Sequence, residues 1–176
     1  MNNPVLLENL RCIPDFPKKG INFRDVTTLY KNPECMKIMV DEMYELYKDK
    51  GITKIVGIES RGFVMAAALA TKLGAGVVLA RKPGKLPATV IKESFSKEYG
   101  VDTVEMHIDS IDENDVVLIH DDLLATGGTA KATLKLVNHF HPKKVYMNFI
   151  IEITDEGLHG RDCLEKDVGV TTLMVI

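Results

Sequence analysis

The chain has 176 residues, of which 45% are hydrophobic and 27% charged, as is ordinary for a soluble protein of one domain. Its 22 Lys and Arg against 25 Asp and Glu give a formal net charge of −3, which argues against non-specific binding to nucleic acid. The three cysteines are widely spaced and form no Cys-x-x-Cys, so neither a zinc site nor a disulfide framework is predicted. We find no signal peptide and no apolar run of membrane-spanning length, and expect one cytoplasmic domain over residues 1–176 with no membrane partner.

In chain order, residues 1–30 are predicted to be irregular because prolines and Gly20 interrupt them. Helical periodicity covers 33–50, and a strand–helix–strand unit follows at 54–58, 63–73 and 77–80. Residues 86–100 are polar and are predicted to be irregular. Later elements are predicted as strands at 103–108, 116–119, 145–152 and 170–175 and a helix at 130–137. This alternation predicts an α/β fold with a central, mostly parallel, twisted sheet flanked by helices, and ligands at the carboxyl ends of the strands.

The most informative segment is Val116–Thr129, where a buried strand is expected to end at Asp121 and Asp122. The turn that follows, Ala125-Thr126-Gly127-Gly128-Thr129, opens a helix. Glycines, hydroxyl donors and a helix N-terminus together suit a phosphate, whereas carboxylates suit neutral hydroxyls and a developing cation. A ribose 5-phosphate has both parts. No Lys follows the glycines, which excludes a Walker loop.

Four cations follow the ends of two neighbouring predicted strands. Arg61 lies in Glu59-Ser60-Arg61-Gly62 after the first strand, and Arg81, Lys82 and Lys85 follow the second. Arginine can bind two phosphate oxygens at once and lysine acts as a point charge. We therefore predict a second anion site here.

These segments resemble the type I phosphoribosyltransferase family. Asp121–Thr129 is similar to the family's phosphoribosyl-pyrophosphate motif and has the sequence that is typical of the adenine-specific members. Glu59–Phe63 and Arg81–Pro87 are similar to the family's pyrophosphate loops. The resemblance implies a cis peptide at Glu59–Ser60, a small N-terminal hood at about 1–30 and a flexible lid loop at about 86–102. The residues it assigns to phosphoribosyl pyrophosphate are Arg61, Gly62, Arg81, Lys82, Lys85, Asp121, Asp122, Ala125, Thr126, Gly127, Gly128 and Thr129.

The hood and the lid carry the remaining assignments. Phe16–Asp25 resembles the family's base-binding hood. The resemblance implies that Phe23 stacks on adenine and that the backbone of Asn22 forms hydrogen bonds with the edge of the base, and it also assigns Arg24 to adenine binding. From the residues alone, a core aromatic is the favoured interpretation of Phe23. Ser94–Gly100 resembles the catalytic loop, with Phe95 where Tyr is usual and Lys97 where Leu is usual, and it makes Glu98 the catalytic acid or base.

Two positions depart from the family pattern. His120 stands where an apolar residue is usual, and we expect it to face the second layer of the fold, where it could tune Asp121. Leu158-His159-Gly160-Arg161 resembles the family's Leu-x-Gly-Arg, whose Leu clamps the base, but its spacing from Glu152 is about two residues longer than the pattern.

The resemblance implies transfer of the 5-phosphoribosyl group from phosphoribosyl pyrophosphate to adenine, giving AMP and pyrophosphate for purine salvage. It also implies a homodimer and Mg²⁺ bound through substrate oxygens, with Arg61, Glu98, Asp121 and Asp122 in catalytic roles. Two alternatives stay open: a related enzyme for another purine such as xanthine or guanine, and a non-catalytic effector-binding regulator of the same fold. The hood segment argues against the first, and the presence of Asp121, Asp122 and Glu98 argues against the second.

Overall fold

The structure is a computed structural model that describes residues 2–97, 100–155, 158–164, 166 and 168–176, with Lys97 described by its backbone only. The helices are α1 (Pro4–Asn9), α2 (Thr27–Tyr30), α3 (Pro33–Tyr47), α4 (Gly62–Leu73) and α5 (Gly128–Asn138). The strands are β1 (Arg11–Ile13), β2 (Phe23–Asp25), β3 (Lys54–Ile58), β4 (Gly76–Ala80), β5 (Val90–Lys97), β6 (Gly100–His107), β7 (Val116–Leu124), β8 (Lys144–Glu152) and β9 (Gly169–Val175). A short 3₁₀ turn spans Gly160–Cys163.

The predicted parallel sheet is confirmed. Five strands lie in the order β4-β3-β7-β8-β9, and each neighbouring pair is parallel. The central strand β7 therefore has β3 on one side and β8 on the other, so that the acidic pair lies beside the loop that follows β3. This order explains why two segments separated by about sixty residues can form one site.

The helices begin and end where local chemistry dictates. The side chain of Asn32 accepts hydrogen bonds from the N–H groups of Glu34 (2.9 Å) and Cys35 (3.3 Å), which caps α3 directly before Pro33. At the far end of α4, Gly74 adopts φ +70°, a conformation that glycine takes without strain. Apolar side chains fill both sides of the sheet, with α5 and the β5–β6 strands on one side and α3 and α4 on the other.

The N-terminal segment is more regular than the sequence suggested. Instead of an irregular stretch, it contains two short helices and the antiparallel pair β1–β2, in which Cys12 lies opposite Arg24. Proline is compatible with the first turn of a helix, which is why Pro4 begins α1 rather than interrupting it.

The expectation of an irregular lid was also wrong. Residues 90–97 and 100–107 form a two-stranded antiparallel sheet, with eight residue pairs from Val90 opposite His107 to Lys97 opposite Gly100. A backbone bridge between Arg81 and Glu105 ties this hairpin to the loop after β4. The predicted strand at 103–108 corresponds to the second half of β6, which is partly buried. Strand β5 was missed because it has no buried residue among its described side chains, so that alternation with apolar residues is weak.

Strand β7 is longer than predicted and runs on to Leu124. Asp121 and Asp122 therefore lie inside the strand, with Asp121 opposite Phe149 of β8, and not at its end. Within the described part of the chain, no helix is long and apolar enough to cross a membrane.

Candidate active site

The acidic pair lies against the loop that follows β3. Asp122 is almost fully buried, and its Oδ2 lies 2.7 Å from Nε of Arg61, although that oxygen accepts no hydrogen bond. Oδ1 of Asp121 accepts a hydrogen bond from the backbone N–H of Asp122 at 2.8 Å. Burial raises the pKa of Asp121 well above its usual range, and the adjacent charge of Asp122 raises it further. Asp121 therefore binds a proton more readily than an exposed carboxylate does.

A glycine permits this close approach. The start of α4 packs so tightly on β7 that a Cβ added at Gly62 would lie 2.8 Å from the carbonyl O of His120 and 3.1 Å from Oδ1 of Asp121. Any larger residue at position 62 would therefore push the loop after β3 away from the acidic pair.

The peptide bond between Glu59 and Ser60, in the same loop, is cis, as the resemblance implied.

The loop after β4 is organised by Glu59. Its carboxylate accepts hydrogen bonds from Nε and Nη2 of Arg81, at 3.2 and 3.3 Å, and from the backbone N–H of Lys82 at 2.9 Å. Burial alone would raise the pKa of Glu59, but these hydrogen bonds hold it below its usual value. Arg81 also donates to the carbonyl O of Lys85 at 3.1 Å. The guanidinium of Arg81 therefore fixes the two loops together, and the exposed side chains of Lys82 and Lys85 remain at the surface.

Two cavities adjoin these loops. One of about 290 Å³ is lined by Glu59, Ser60, Arg61, Lys82, Asp121 and Asp122. A second, of about 160 Å³, extends toward the hairpin and includes Arg81, Lys82, Asp102, Thr103, Asp121 and Thr129 in its lining. Cationic and anionic groups thus share one concave surface, which suits a ligand with a charged leaving group beside neutral hydroxyls.

The glycine-rich turn lies at the start of α5. Gly127 adopts φ +77° and immediately precedes the helix, whose N-terminal N–H groups no side chain caps. Thr126 is exposed and Thr129 half-buried, and the carbonyl O of Thr129 accepts a hydrogen bond from Oγ1 of Thr133 at 2.9 Å. The segment Ala125–Thr129, here called the phosphate loop after its predicted ligand, adjoins the second cavity, which Thr129 helps to line.

The proposed base-binding residues lie at the other edge of the site. The ring of Phe23 is half-buried, meets Phe16 edge-to-face at 5.3 Å between centroids, and lies 5.6 Å from Cζ of Arg61. Asn22 is exposed. The hood therefore contacts the same arginine that approaches Asp122, which brings the base-binding segment to the acidic pair.

Arg24 and Leu158 are placed by the segment after β8. Nη1 of Arg24 donates to Sγ of Cys12 at 2.7 Å, and Nη2 lies 3.7 Å from Oδ2 of Asp155. Leu158 is half-buried, and its N–H donates to the carbonyl O of Asp155 at 3.1 Å. Arg24 thus links the hood to the segment that carries Leu158, while its guanidinium already has partners.

The catalytic assignment of Glu98 lies outside the described residues. The neighbouring strand β5 is described, and its Phe95 packs on the phosphate loop: a Cβ added at Gly128 would lie 3.0 Å from the ring. Strand β5 therefore packs against the glycine-rich turn at the start of α5.

His120 is fully buried in a hydrogen-bonded chain that crosses the sheet. Nδ1 of His120 lies 3.1 Å from Oδ1 of Asn148, whose Nδ2 donates to Oγ1 of Thr171 at 2.8 Å, and Oγ1 of Thr171 lies 2.6 Å from the hydroxyl of Tyr47. Since Oδ1 of Asn148 is an acceptor, Nδ1 carries the proton and Nε2, which has no partner, carries the lone pair. Burial lowers the pKa of His120 to about 4, so the imidazole is neutral at pH 7.

Sequence reasoning missed two contacts of the site. The hydroxyl of Tyr30 donates to the carbonyl O of Arg61 at 3.1 Å. Gly160 and Cys163 lie directly beneath the phosphate loop, and Sγ of Cys163 donates to the carbonyl O of Thr126 at 3.6 Å. No local pattern marks Tyr30, whereas the motif Leu158-His159-Gly160-Arg161 is the sequence signal for the second contact.

Comparison with known proteins agrees with this geometry. The family model described as the phosphoribosyl transferase domain matches residues 25–162. An adenine phosphoribosyltransferase of Phocaeicola vulgatus is 61% identical over 176 residues, covering 100% of both chains. The chain therefore belongs to the phosphoribosyl transferase family, and the relatives that it matches along its whole length are adenine phosphoribosyltransferases.

Solved structures give the same result. The adenine phosphoribosyltransferase of Rhodothermus marinus superposes with a TM-score of 0.91 at 46% identity, covering 98% of this chain and 97% of that one. The enzyme of Trypanosoma brucei, solved with AMP, pyrophosphate and ribose-5-phosphate, superposes with a TM-score of 0.88 at 27% identity, covering 98% of this chain and 78% of that one. The predicted fold, that of type I phosphoribosyltransferases, is confirmed.

Proposed function

We propose that the protein transfers the 5-phosphoribosyl group from phosphoribosyl pyrophosphate to adenine, giving AMP and pyrophosphate. The observation that carries this proposal is the shared cavity of Arg61, Lys82, Asp121 and Asp122, which joins an anion site to a pair of carboxylates. The relatives that match the full chain carry the same activity in their names.

Departure of pyrophosphate leaves positive charge on the anomeric carbon and negative charge on the leaving group. Arg61, Lys82 and Lys85 stabilise the leaving group because their cations lie at or beside the cavity. The carboxylates of Asp121 and Asp122 bind the ribose hydroxyls and favour the cationic carbon. The phosphate loop holds the 5-phosphate, with Thr126 and Thr129 adding hydroxyl donors.

The base lies between the hood and the segment after β8. Phe23 stacks on adenine and Leu158 covers its other face, while the backbone at Asn22 pairs with the base edge. Adenine presents an amino donor beside a ring-nitrogen acceptor, and hypoxanthine and guanine present the reverse. A rigid backbone C=O and N–H therefore select adenine, because the wrong base leaves buried groups unpaired. Glu98 moves the proton on the purine ring as general acid or base.

Mg²⁺ fits this site as an ion bound mainly by substrate oxygens. The carboxylates of Asp121 and Asp122 supply oxygen atoms of the kind that Mg²⁺ prefers. Among the described residues, however, no group of three or more His, Cys, Asp and Glu side chains could hold a metal. When bound, the ion would offset the charge of the pyrophosphate.

We also propose that the protein acts as a cytoplasmic homodimer. Two neighbouring outward-facing residues of the edge strand β4, Val77 and Leu79, are 42% and 38% exposed, and Val64 at the start of α4 is 41% exposed. Large apolar side chains on an edge strand favour association with a second copy. Sedimentation equilibrium of the wild type and of Leu79→Glu tests this: the wild type should be dimeric and the variant should dissociate at a higher concentration.

An assay with adenine, phosphoribosyl pyrophosphate and Mg²⁺ tests the activity directly. AMP and pyrophosphate should form in equal amounts, and replacing adenine by hypoxanthine, guanine or xanthine should lower kcat/KM by several orders of magnitude. Faster turnover of another purine would favour the related-enzyme alternative. Absence of AMP together with binding of DNA or RNA would favour the regulator.

A further inference from the structure

The turn Gly160–Cys163 packs against the underside of the phosphate loop without space between them. A Cβ added at Gly160 would overlap the carbonyl O of Ala125 and lie 2.9 Å from the N of Gly127. A Cβ added at Gly127 would in turn overlap the carbonyl O of Gly160 and Sγ of Cys163. Because backbone meets backbone here, a displacement of the turn must displace the phosphate loop as well.

Arg161 ties this turn to the sheet. Nε of Arg161 donates to Oε1 of Glu152 at 2.8 Å, and Nη2 donates to Oε2 of the same carboxylate. Nη1 donates to the carbonyl O of Val170 at 2.9 Å. Glu152 is buried at the end of β8 and Val170 lies in β9, so one guanidinium joins the turn to two strands of the sheet.

We propose that Arg161 is a positioning residue for the 5-phosphate: by fixing the Gly160–Cys163 turn on β8 and β9, it holds the phosphate loop in the conformation that binds phosphate. This inference rests on the proposed function only in assigning the 5-phosphate to the segment Ala125–Thr129. The contacts of Arg161 do not reach the pyrophosphate loops, where Glu59 fixes Arg81 and Lys82 independently.

The geometry requires arginine rather than any cation. Three N–H groups of one rigid, planar guanidinium make these contacts to two different strands. An ammonium group carries the same charge but lacks the fork, so a lysine cannot reproduce the set. Arg161→Lys therefore separates the role of the fork from that of the charge.

The test compares two ligands that bind different halves of the site. Ribose 5-phosphate reports on the phosphate loop and inorganic pyrophosphate on the loops after β3 and β4. Each ligand is titrated into the wild type and into Arg161→Lys by isothermal titration calorimetry. A displaced phosphate loop is expected to lose at least one hydrogen bond to the charged phosphate, so the variant should bind ribose 5-phosphate about tenfold or more weakly than the wild type. The affinity for pyrophosphate should stay within about twofold, a split that general destabilisation would not produce.

Two further variants complete the design. Gly160→Ala leaves the ion pair of Arg161 intact, but its Cβ would push on the carbonyl O of Ala125. It should lower the affinity for ribose 5-phosphate and not that for pyrophosphate, and it provides the test if Arg161→Lys fails to fold. Arg11→Lys is the matched control, because Arg11 binds Asp25 through Nε and Nη2 but lies in the hood. It should leave the affinity for ribose 5-phosphate unchanged. Circular dichroism and thermal unfolding confirm that each variant is folded.

The outcomes separate this inference from the proposed function. If the wild type forms AMP but both Arg161→Lys and Gly160→Ala bind ribose 5-phosphate as tightly as the wild type, the inference is wrong and the function stands. The inference is equally wrong if the affinities for both ligands fall by the same factor. If the variants lose affinity for ribose 5-phosphate alone while the wild type forms no AMP, the phosphate loop is positioned as we propose and the proposed function is wrong.

Discussion

Nε of Arg61 lies 2.7 Å from the buried Oδ2 of Asp122, so the loop after β3 and the acidic pair of β7 meet through one ion pair. The hydroxyl of Tyr30 donates a hydrogen bond to the carbonyl O of Arg61 and so helps to fix the backbone of the loop after β3. Burial, followed by the charges of Asp122 and Asp121, raises the pKa of Tyr30 above its ordinary value, so the hydroxyl keeps its proton. Helix α2 is thereby connected to the loop after β3 that carries Arg61.

Removal of that hydroxyl should be detectable in substrate binding. We expect Tyr30→Phe to raise the KM for phosphoribosyl pyrophosphate by up to about tenfold, because a neutral hydrogen bond contributes roughly 0.5–1.5 kcal/mol. Steady-state kinetics with each substrate varied in turn measures this. Tyr47→Phe is the control: its hydroxyl bonds Met147 and Thr171 away from the cavity, and it should lose stability without a change in KM. Equal KM values for Tyr30→Phe and wild type would mean that the contact is structural only.

The acidic pair is expected to act on the transition state. Asp121→Asn combined with Asp122→Asn keeps the size and one acceptor oxygen of each side chain but removes negative charge near the proposed position of the anomeric carbon. We therefore expect kcat to fall much more than the affinity for phosphoribosyl pyrophosphate, as measured by single-turnover kinetics and titration. A double variant with wild-type kcat would show that the carboxylates only position the ribose.

The hydroxyl of Thr129 is expected to bind the 5-phosphate. Thr129→Ala should raise the KM for phosphoribosyl pyrophosphate with little change in the KM for adenine, since a hydrogen bond to a charged group contributes roughly 1.5–3 kcal/mol. The matched control is Thr71→Ala on α4, whose hydroxyl donates to the carbonyl O of Ala67 far from the phosphate loop. An unchanged KM for phosphoribosyl pyrophosphate would contradict the assignment.

Glu98 is predicted to transfer a proton on the purine ring. Glu98→Gln keeps shape and polarity but cannot exchange a proton as a carboxylate does, so kcat should fall about 10²–10⁴-fold. Glu98→Leu also removes the hydrogen bond and should be at least as slow. Stopped-flow measurement of AMP formation checks both variants. Slow turnover of the Gln variant with fast turnover of the Leu variant would rule out proton transfer.

Protonation of His120 should make folding stability depend on pH in a defined window. Above pH 6.5 the imidazole is neutral in both the folded and the unfolded chain. Between pH 6.5 and about 4 only the unfolded chain takes up the proton, so stability falls as the pH falls; the fall in pKa corresponds to about 3 kcal/mol. Below about pH 4 the loss is complete.

Urea unfolding at a series of pH values measures this, with His120→Leu as the comparison. The variant should lose the contribution of His120 to the pH dependence between pH 6.5 and 4. Both proteins keep the opposing contribution of Asp121, whose raised pKa adds stability as the pH falls. Identical pH profiles would show that the buried imidazole does not titrate as its surroundings require.

The sequence was most informative where chemistry is local. The turn Ala125–Thr129 and the cations after β3 and β4 are contiguous motifs, and β3, α4 and β4 follow from periodicity and Gly74. Contacts between distant segments were not predictable: Tyr30 meets Arg61 across 31 residues and Cys163 meets Thr126 across 37. No single-chain pattern encodes such pairs, because they arise only when the sheet order is known.

Only the second half of β6 emerged from the sequence, as the strand predicted at 103–108, and β5 was missed for a different reason. β5 pairs with β6 along its whole length through the backbone, and its exposed positions Lys92, Ser94 and Ser96 are polar. Alternation then carries little information, and a polar strand resembles a polar loop.

Eight consecutive residue pairs join β5 to β6 along the described hairpin. From the pair Val90–His107 to the pair Lys97–Gly100, it is about 23 Å long at the usual rise of a strand. Glu105 is bridged to Arg81 in the loop after β4, and Phe95 packs on Gly128 at the start of α5. The hairpin therefore couples the loop after β4 mechanically to the phosphate loop, and turnover should respond to substitutions at either contact.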